Sequence, residues 1–440
     1  MKNKFAIEVF YTNFYLHSAG TEKYILEQIS ELNRKDIDIV GLFPLKKESL
    51  GINLWGMIIN EELVDVLTTE QIIRILTFWN SKGKILTGFF IHHLMNIDLN
   101  SLFAIINSLY ECNIIVYLHD FYTACLQYNL LKNGKEYCGN AILEKNKCSS
   151  CSFFEKSIEH KSLILSFLLK INISHLFFIA PSKFMADTWI QAFPQFSDRL
   201  SVIGHLKFVG EYFENMNPID LLSPLKVAFV GNQSYNKGWE FWIQAVDTLE
   251  FETHNYRFYY FGHSTHKMKH IQDVEVSVQK DGPTAMVDAI RKNGVDVVVL
   301  NSIQPETYSF TYYESLASNA FIITNESSGN ISIQVRTNLN GIVMRSPDDL
   351  IEIFEKESNL RSALNEYRSR KRFGPLMFEP DLGYTKYLNC NSQSWIKPLI
   401  IHKHSNSILM RFITKLLYNA RYKNMGQKFK YRSIIRRVHD

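Results

Sequence analysis

Residues 305–318 read PETYSFTYYESLAS and hold two glutamates, Glu306 and Glu314, eight positions apart. A solvated helix face repeats its charges every three or four residues, so this spacing belongs to something else. The apolar run VDVVVLNS (295–302) before it reads as a buried strand, Pro305 interrupts, and a helix is expected to start between Ser309 and Thr311. Glu306 then lies in the loop ahead of the helix, and Glu314 about one turn inside it. No Lys or Arg stands between them, so the amides of Tyr308, Ser309, Phe310 and Thr311 are the donors an anion would meet there. A ligand with hydroxyls at both ends and a diphosphate between them fits two acids bracketing a helix start, and a nucleotide sugar has that form. The plainer reading is a helix N-terminus decorated with carboxylates, which favour that end electrostatically.

The alternation of apolar run and helix extends through the chain. LKVAFVGN (225–232), YRFYYFGH (256–263) and AFIITNE (320–326) join the strand at 295–302, with WEFWIQAVDTL (239–249) as a helix. Upstream, FAIEVFYT (5–12), IDIVGLF (37–43), KILTGFFIHH (84–93), NIIVYLHD (113–120), LFFIAPS (176–182) and LSVIGH (200–205) read as buried strands. Residues 21–35 read as a helix with Ile25, Leu26, Ile29 and Leu32 on one face. Continuous apolar runs separated by helices imply parallel sheets covered on both faces. The pattern restarts after 217–224, and 440 residues suffice for two cores. The expected fold class is α/β, two Rossmann-like domains facing a cleft. Residues 1–220 form the first, with a cysteine-containing loop at about 121–155; 221–375 form the second, and 376–440 a basic helical tail. Ligands of such sheets sit at the carboxyl ends of the strands.

The net charge of +4 is unevenly spread. From Lys397 to Asp440 there are eleven Lys or Arg and one acid, which leaves the rest of the chain at −6. An acidic body argues against a nucleic-acid partner. In the tail Ile408, Leu409, Phe412, Ile413, Leu416 and Leu417 form an apolar helical stripe that suits either an anionic membrane surface or docking on the body. The N-terminal apolar run is interrupted by Glu8 and is too short for a signal peptide or a span. No run elsewhere reaches the ~20 apolar residues of a spanning helix. The expected location is the cytoplasm, with contact to the inner face of the plasma membrane through the tail.

Other strand ends carry further chemistry. VGNQSYNKGWE (230–240) is a turn with Gly231, Asn232 and Lys237 just before a helix, where amides and an ammonium suit a phosphate. The GxxxxGK[ST] order of a P-loop is absent, and a Gly-Asn turn with a solvated lysine is the alternative. Gly262, in FGHSTHK (261–267), marks a place where backbone can approach a ligand.

PETYSFTYYESLA resembles the E-x7-E signature of retaining GT-B glycosyltransferases, especially family four, which includes many bacterial polysaccharide enzymes. HSAGTEKYILEQISEL (17–32) resembles that family's first glycine loop and helix, and IHHLMNIDL (91–99) and VYLHDFYTAC (116–125) its paired N-domain segments. APSKFMADTW (180–189) resembles the segment closing that domain, and VGNQSYNKGWE its phosphate turn. The similarity spans roughly residues 5–345. It implies transfer of a sugar from a nucleotide-sugar donor to a saccharide or lipid-linked acceptor, with retention of configuration and no metal cofactor, in surface-polysaccharide synthesis (O-antigen, capsule or lipopolysaccharide). It also implies roles: Glu306 at the hydroxyls of the donor sugar, Glu314 at the ribose, Lys237 at the departing diphosphate. His119 would reach the transferred sugar, and Gly20 would let backbone approach the diphosphate. Three positions depart from the pattern. Asn232 stands for a frequent arginine, Ser309 for a frequent glycine and Gly204 for a frequent proline.

His92 and His93 follow an apolar strand and, with Asp120, are candidates for the acceptor side; a core histidine pair is the other reading. Asp36 and Asp38 form a DxD at a strand start, which is not read as a metal site. Cys125, Cys138, Cys148 and Cys151 cluster in a polar loop ending in CxxC. In a reducing compartment a structural zinc suits such a loop better than disulfides, with free thiols as the alternative. Two rivals to the enzyme reading stay open: a non-catalytic nucleotide-sugar binder or assembly partner, and a zinc-loop interaction scaffold.

Overall fold

The computed structural model describes residues 1–14, 20–47, 52–60, 62–140, 142–209, 213–214, 217–220, 222–249, 255–264, 267–370, 372–373, 377–389 and 394–397. The first domain is built on strands β1 (Lys4–Val9), β2 (Ile37–Lys47), β3 (Ile52–Ile59), β4 (Glu62–Leu67), β5 (Ile85–Ile91) and β6 (Ile114–Tyr117). A small hairpin, β7 (Leu131–Lys132) and β8 (Glu136–Tyr137), lies in the cysteine loop, and β9 (Leu176–Ala180) and β10 (Leu200–Val202) complete the sheet. Its order is β10-β9-β6-β5-β1-β2-β3-β4. Every pairing from β10 to β2 is parallel, as the buried apolar runs imply. The pairings β2–β3 and β3–β4 are antiparallel and were not read from the sequence. Four residues separate β2 from β3 and two separate β3 from β4. A parallel pair needs a crossover of a dozen or more, so these strands can only reverse.

Alternate residues of β1 enter different cores. Phe5, Ile7 and Val9 pack with Trp79, Leu102 and Ile105, while Ala6 and Phe10 pack with Tyr24, Ile25 and Ile29 of the helix Gly20–Arg34. Glu8 shares that second face and is fully buried.

The connection to the second domain contains β11 (Leu206–Val209) and β12 (Phe213–Glu214). The second sheet consists of β13 (Leu225–Val230), β14 (Tyr256–Phe261), β15 (Ile271–Val274), β16 (Val297–Val299), β17 (Phe321–Asn325) and β18 (Gly341–Met344). They stand in the order β15-β14-β13-β16-β17-β18, all parallel. Numbered within the sheet this is the doubly wound order 3-2-1-4-5-6, whose direction reverses between β13 and β16; a crevice opens at the carboxyl ends there. The two-domain GT-B arrangement is thus present. The chain then returns: β19 (Arg372–Phe373) pairs with β12, and β20 (Met377–Pro380) pairs with β11.

Beyond β20, where a helical tail was expected, the described residues contain no α-helix. Tyr384 and Tyr387 are buried in the first domain. Trp395 lies edge-on to Phe5 at 5.5 Å and donates its indole N–H to the Lys84 carbonyl at 2.6 Å. The apolar stripe from Ile408 to Leu417 lies outside the described residues. Among the described residues no helix is long and apolar enough to cross a membrane.

Candidate active site

The helix Phe310–Ala317 starts where the spacing of the acids places it. Ser309 caps it at φ −144°, ψ 106°, ordinary extended backbone, and its hydroxyl accepts the Tyr312 N–H at 3.2 Å. A serine at this position therefore brings no strain. The amides of Phe310 and Thr311 have no partner one turn earlier, as at any helix start, and both residues line the interdomain cleft.

Glu306 is fixed ahead of the helix by exchange with the turn before the helix Asn330–Asn338. Its N–H donates to the Ser328 carbonyl at 3.3 Å, and its own carbonyl accepts from the Asn330 N–H at 2.9 Å. Gly329 between them has φ 61°, and a Cβ there would lie 2.8 Å from the Glu306 nitrogen, so only glycine permits the approach. Three donors converge on Oε1 of Glu306: Lys237 Nζ at 2.6 Å, Ser302 Oγ at 2.8 Å and Gln304 Nε2 at 3.2 Å. The residue is 8% exposed.

Lys237 ends a single turn, Tyr235–Lys237, after β13. The next residue, Gly238, has φ 81°, and a Cβ there would meet the Asn301 carbonyl oxygen at 1.9 Å. Contact that close seats the turn against the end of β16 and delivers the lysine to the acid. Expected to make separate ligand contacts, Lys237 and Glu306 instead form an ion pair at the reversal point of the sheet. Asn232 is exposed, and with Gly231 and Gly262 it lines the same cleft.

Glu314 is 5% exposed and accepts a hydrogen bond on Oε1 from Lys23 Nζ at 3.0 Å. The same ammonium sits 4.6 Å over the Phe310 ring. Lys23 belongs to the first domain, in the helix Gly20–Arg34, and sequence reading missed it. Gly20 begins that helix at the cleft, where a Cβ would stand 3.4 Å from the Phe310 ring. The domains meet again at the loop after Glu306. The Thr307 hydroxyl donates to the His119 carbonyl at 2.6 Å, and the Thr307 carbonyl accepts from the Ser182 hydroxyl at 2.7 Å. The Tyr308 hydroxyl accepts the Leu206 N–H at 3.2 Å, and its ring lies 4.5 Å from that of His205.

His119, past the end of β6, lines the cleft together with Asp120. Burial, helped by the neighbouring His205 and His93, holds the His119 pKa well below the usual range, so the ring is a neutral imidazole. Burial also lowers His205, to about 3. His92 is absent from the cleft wall: it lies behind His119, Nδ1 to Nε2 3.1 Å apart. His93 bonds through Nε2 to Asp120 Oδ2 at 2.7 Å, and its Nδ1 accepts the Met95 N–H at 2.9 Å. The cleft encloses about 890 Å³.

The four clustered cysteines are free. The Cys138 thiol donates to the Leu130 carbonyl at 3.0 Å, and the Cys125 thiol to the Ser157 hydroxyl at 3.5 Å. Among the described residues no group of three or more His, Cys, Asp or Glu side chains takes up metal-binding geometry. Burial, and next the neighbouring Cys125 and Cys148, raise the Cys138 thiol pKa to about 12.

No protein-family model and no curated protein matches the chain. Among solved structures it is similar to Anabaena HepE in complex with UDP-glucose, at 12% identity and TM-score 0.48, over 84% of this chain and 96% of that one. It is similar to WaaG, a glycosyltransferase involved in lipopolysaccharide biosynthesis, at 11% identity and TM-score 0.48, over 83% and 94%. A third is sucrose-phosphate synthase from Thermosynechococcus elongatus, at 10% identity and TM-score 0.47, over 83% and 93%. Likenesses this distant carry no weight for function, which rests on the cleft itself.

Proposed function

We propose that the protein is a glycosyltransferase that moves a sugar from a nucleotide-sugar donor to a saccharide or lipid-linked acceptor with retention of configuration. The observation that carries this reading is the pair of nearly buried acids at one helix N-terminus, each held by a lysine, inside a cleft shared by two Rossmann-like domains. In this reading the ribose takes Glu314 and the donor sugar takes Glu306. The diphosphate takes the amides of Phe310 and Thr311 and the ammonium of Lys237, which stabilises charge as the nucleotide leaves. His119, neutral and bonded through its carbonyl to Thr307, faces the sugar from the other domain. Gly20, Gly231 and Gly262 supply backbone around the phosphates, and Asp120 lies on the acceptor side. Transfer needs no metal in this scheme. The setting we propose is surface-polysaccharide assembly at the inner face of the plasma membrane, with the basic tail as the membrane contact.

A thermal-shift series with UDP-, GDP-, ADP- and CMP-sugars tests the reading, because a ligand that binds only the folded state raises the melting temperature by mass action. The donor found is then followed for nucleotide release with and without chelator. Release that disappears in Glu306→Ala supports the enzyme. Binding without release points to a non-catalytic binder, and absence of any binding defeats the proposal.

A further inference from the structure

Glu8 is a carboxyl in the middle of a buried strand, 0% exposed, and neither of its oxygens accepts a hydrogen bond among the described residues. A buried carboxyl without a hydrogen-bond partner is unfavourable, so its neighbours matter. Its Oε2 lies 3.7 Å from Nε2 of His92, which is likewise buried without a hydrogen-bond partner among the described residues. The other nitrogen of His92, Nδ1, lies 3.1 Å from Nε2 of His119. Glu8, His92 and His119 thus form a file from the sheet interior to the cleft. Its rings are held in register. His92 and His119 stack within 14° of parallel, and Tyr117 stacks on both, at 4.7 Å from His92 and 5.4 Å from His119. Tyr117 is itself fixed by Tyr24, hydroxyl to hydroxyl at 3.1 Å, and by Gln28 at 2.9 Å.

We propose that Glu8 and His92 are positioning residues for His119, and that the state of the Glu8 carboxyl selects which His119 nitrogen carries the ring hydrogen. With the carboxyl protonated, its O–H donates to His92 Nε2. His92 then carries its hydrogen on Nδ1 and donates to His119 Nε2, which leaves the His119 hydrogen on Nδ1. When Glu8 loses its proton the file reverses. The carboxylate accepts from His92 Nε2–H, His92 Nδ1 accepts from His119 Nε2–H, and His119 Nδ1 becomes a lone-pair acceptor. The Glu8 proton passes to His92 Nε2, the His92 Nδ1 hydrogen passes to His119 Nε2, and the His119 Nδ1 hydrogen leaves, so one proton is lost and each ring keeps one hydrogen, on the opposite nitrogen.

The surroundings favour the first state. Burial pushes the Glu8 carboxyl well above its ordinary range and holds both imidazoles well below theirs. The groups facing the file are the phenols of Tyr24, Tyr117 and Tyr384, whose pKa values burial raises, and the rings of His93 and His205.

The tautomer can be read without a substrate. In the full chain labelled with 15N-histidine, two-bond 1H–15N spectra report which nitrogen of each ring is protonated, and His119→Asn assigns the signal. The hydrogen is expected on Nδ1 at pH 7 in the wild type and in Glu8→Gln, whose amide N–H replaces the carboxyl donor. It is expected to move or to be shared between nitrogens in Glu8→Leu and in His92→Phe, which keeps the ring stack should Glu8→Leu fail to fold. A wild-type hydrogen on Nε2, or an Nδ1 hydrogen that survives His92→Phe, overturns the file. The functional half rests on the glycosyltransferase reading: Glu8→Leu should lower kcat on the order of tenfold or more with donor Kd unchanged, and Glu8→Gln should restore it. A lost tautomer with full turnover would remove the role given to His119 while leaving the file intact.

Discussion

The Lys237–Glu306 pair can be weighed by a double-mutant cycle with Glu306→Gln and Lys237→Met. Nζ and Oε1 are 2.6 Å apart, with side chains 34% and 9% exposed. A solvent-exposed pair contributes roughly 0–1 kcal/mol, and breaking a fully buried pair costs about 3–5 kcal/mol. The lysine is a third exposed and the acid is not, so the coupling is expected at about 1–3 kcal/mol. Glutamine keeps an oxygen for Ser302 and Gln304, which confines the loss to the charge. Urea denaturation of the wild type, both single variants and the double variant gives the coupling directly. A value below about 0.5 kcal/mol would mean that the two groups meet without depending on each other, and the argument that the fold builds them as one unit would fail. In the donor assay Glu306→Gln should lower kcat by roughly a hundredfold or more, on the scale of a lost electrostatic contact in a reaction centre.

Three further outcomes are expected. Gly238→Ala forces a Cβ to 1.9 Å from the Asn301 carbonyl oxygen at a positive φ, so it should destabilise the second domain by at least ~2 kcal/mol in urea melts; a neutral effect would contradict the seating of the Lys237 turn. Glu314→Ala should mainly weaken donor binding and Glu306→Ala should mainly lower turnover, a split read from kcat and Kd; normal kinetics in both would contradict the assignment. Burial raises Glu27 to about 7, opposed by Lys23 and reinforced by Glu314 and Glu31. Its folded pKa thus exceeds its unfolded one, so the stability it contributes is present below the unfolded value of ~4.3 and is lost as pH rises through about 7. Glu27→Gln should therefore gain ~1–3 kcal/mol over wild type on going from pH 4.5 to pH 8, and a pH-independent difference would count against it.

Much of the architecture was legible because parallel sheets bury both faces and write themselves as continuous apolar runs, and the strands at β1, β5, β6, β13, β14 and β17 lie where those runs do. The antiparallel edge was missed because the segments of β3 and β4 were not read as strands; once they are, their short connections leave reversal as the only course. The short edge strands β15 (IQDV) and β18 (GIVM) were missed because four residues carry no period. In the cleft, the acids, the turn lysine and His119 could be found from local text. Lys23 could not, since its contact with Glu314 spans 291 positions and leaves no mark near either residue. For His92, which follows a strand, the sequence left an acceptor-side candidate and a core histidine pair both open; the ring lies behind His119 and is 1% exposed. Glu8 was visible as an interruption in an apolar run, but what it interrupts for depends on a stack of rings from three segments.

Thr307 bonds on one side to His119 and on the other to Ser182, and it directly follows Glu306. Recombining enzymes of this architecture by exchanging the second domain at the connecting strands would set a foreign loop against the native strand ends. On the proposed function donor preference would move with the exchanged domain, but the hydroxyl and carbonyl of residue 307 would lose their sockets. A productive chimera should therefore carry the segments around His119 and Ser182 with the incoming domain, as one transplanted block cut across the apparent domain border.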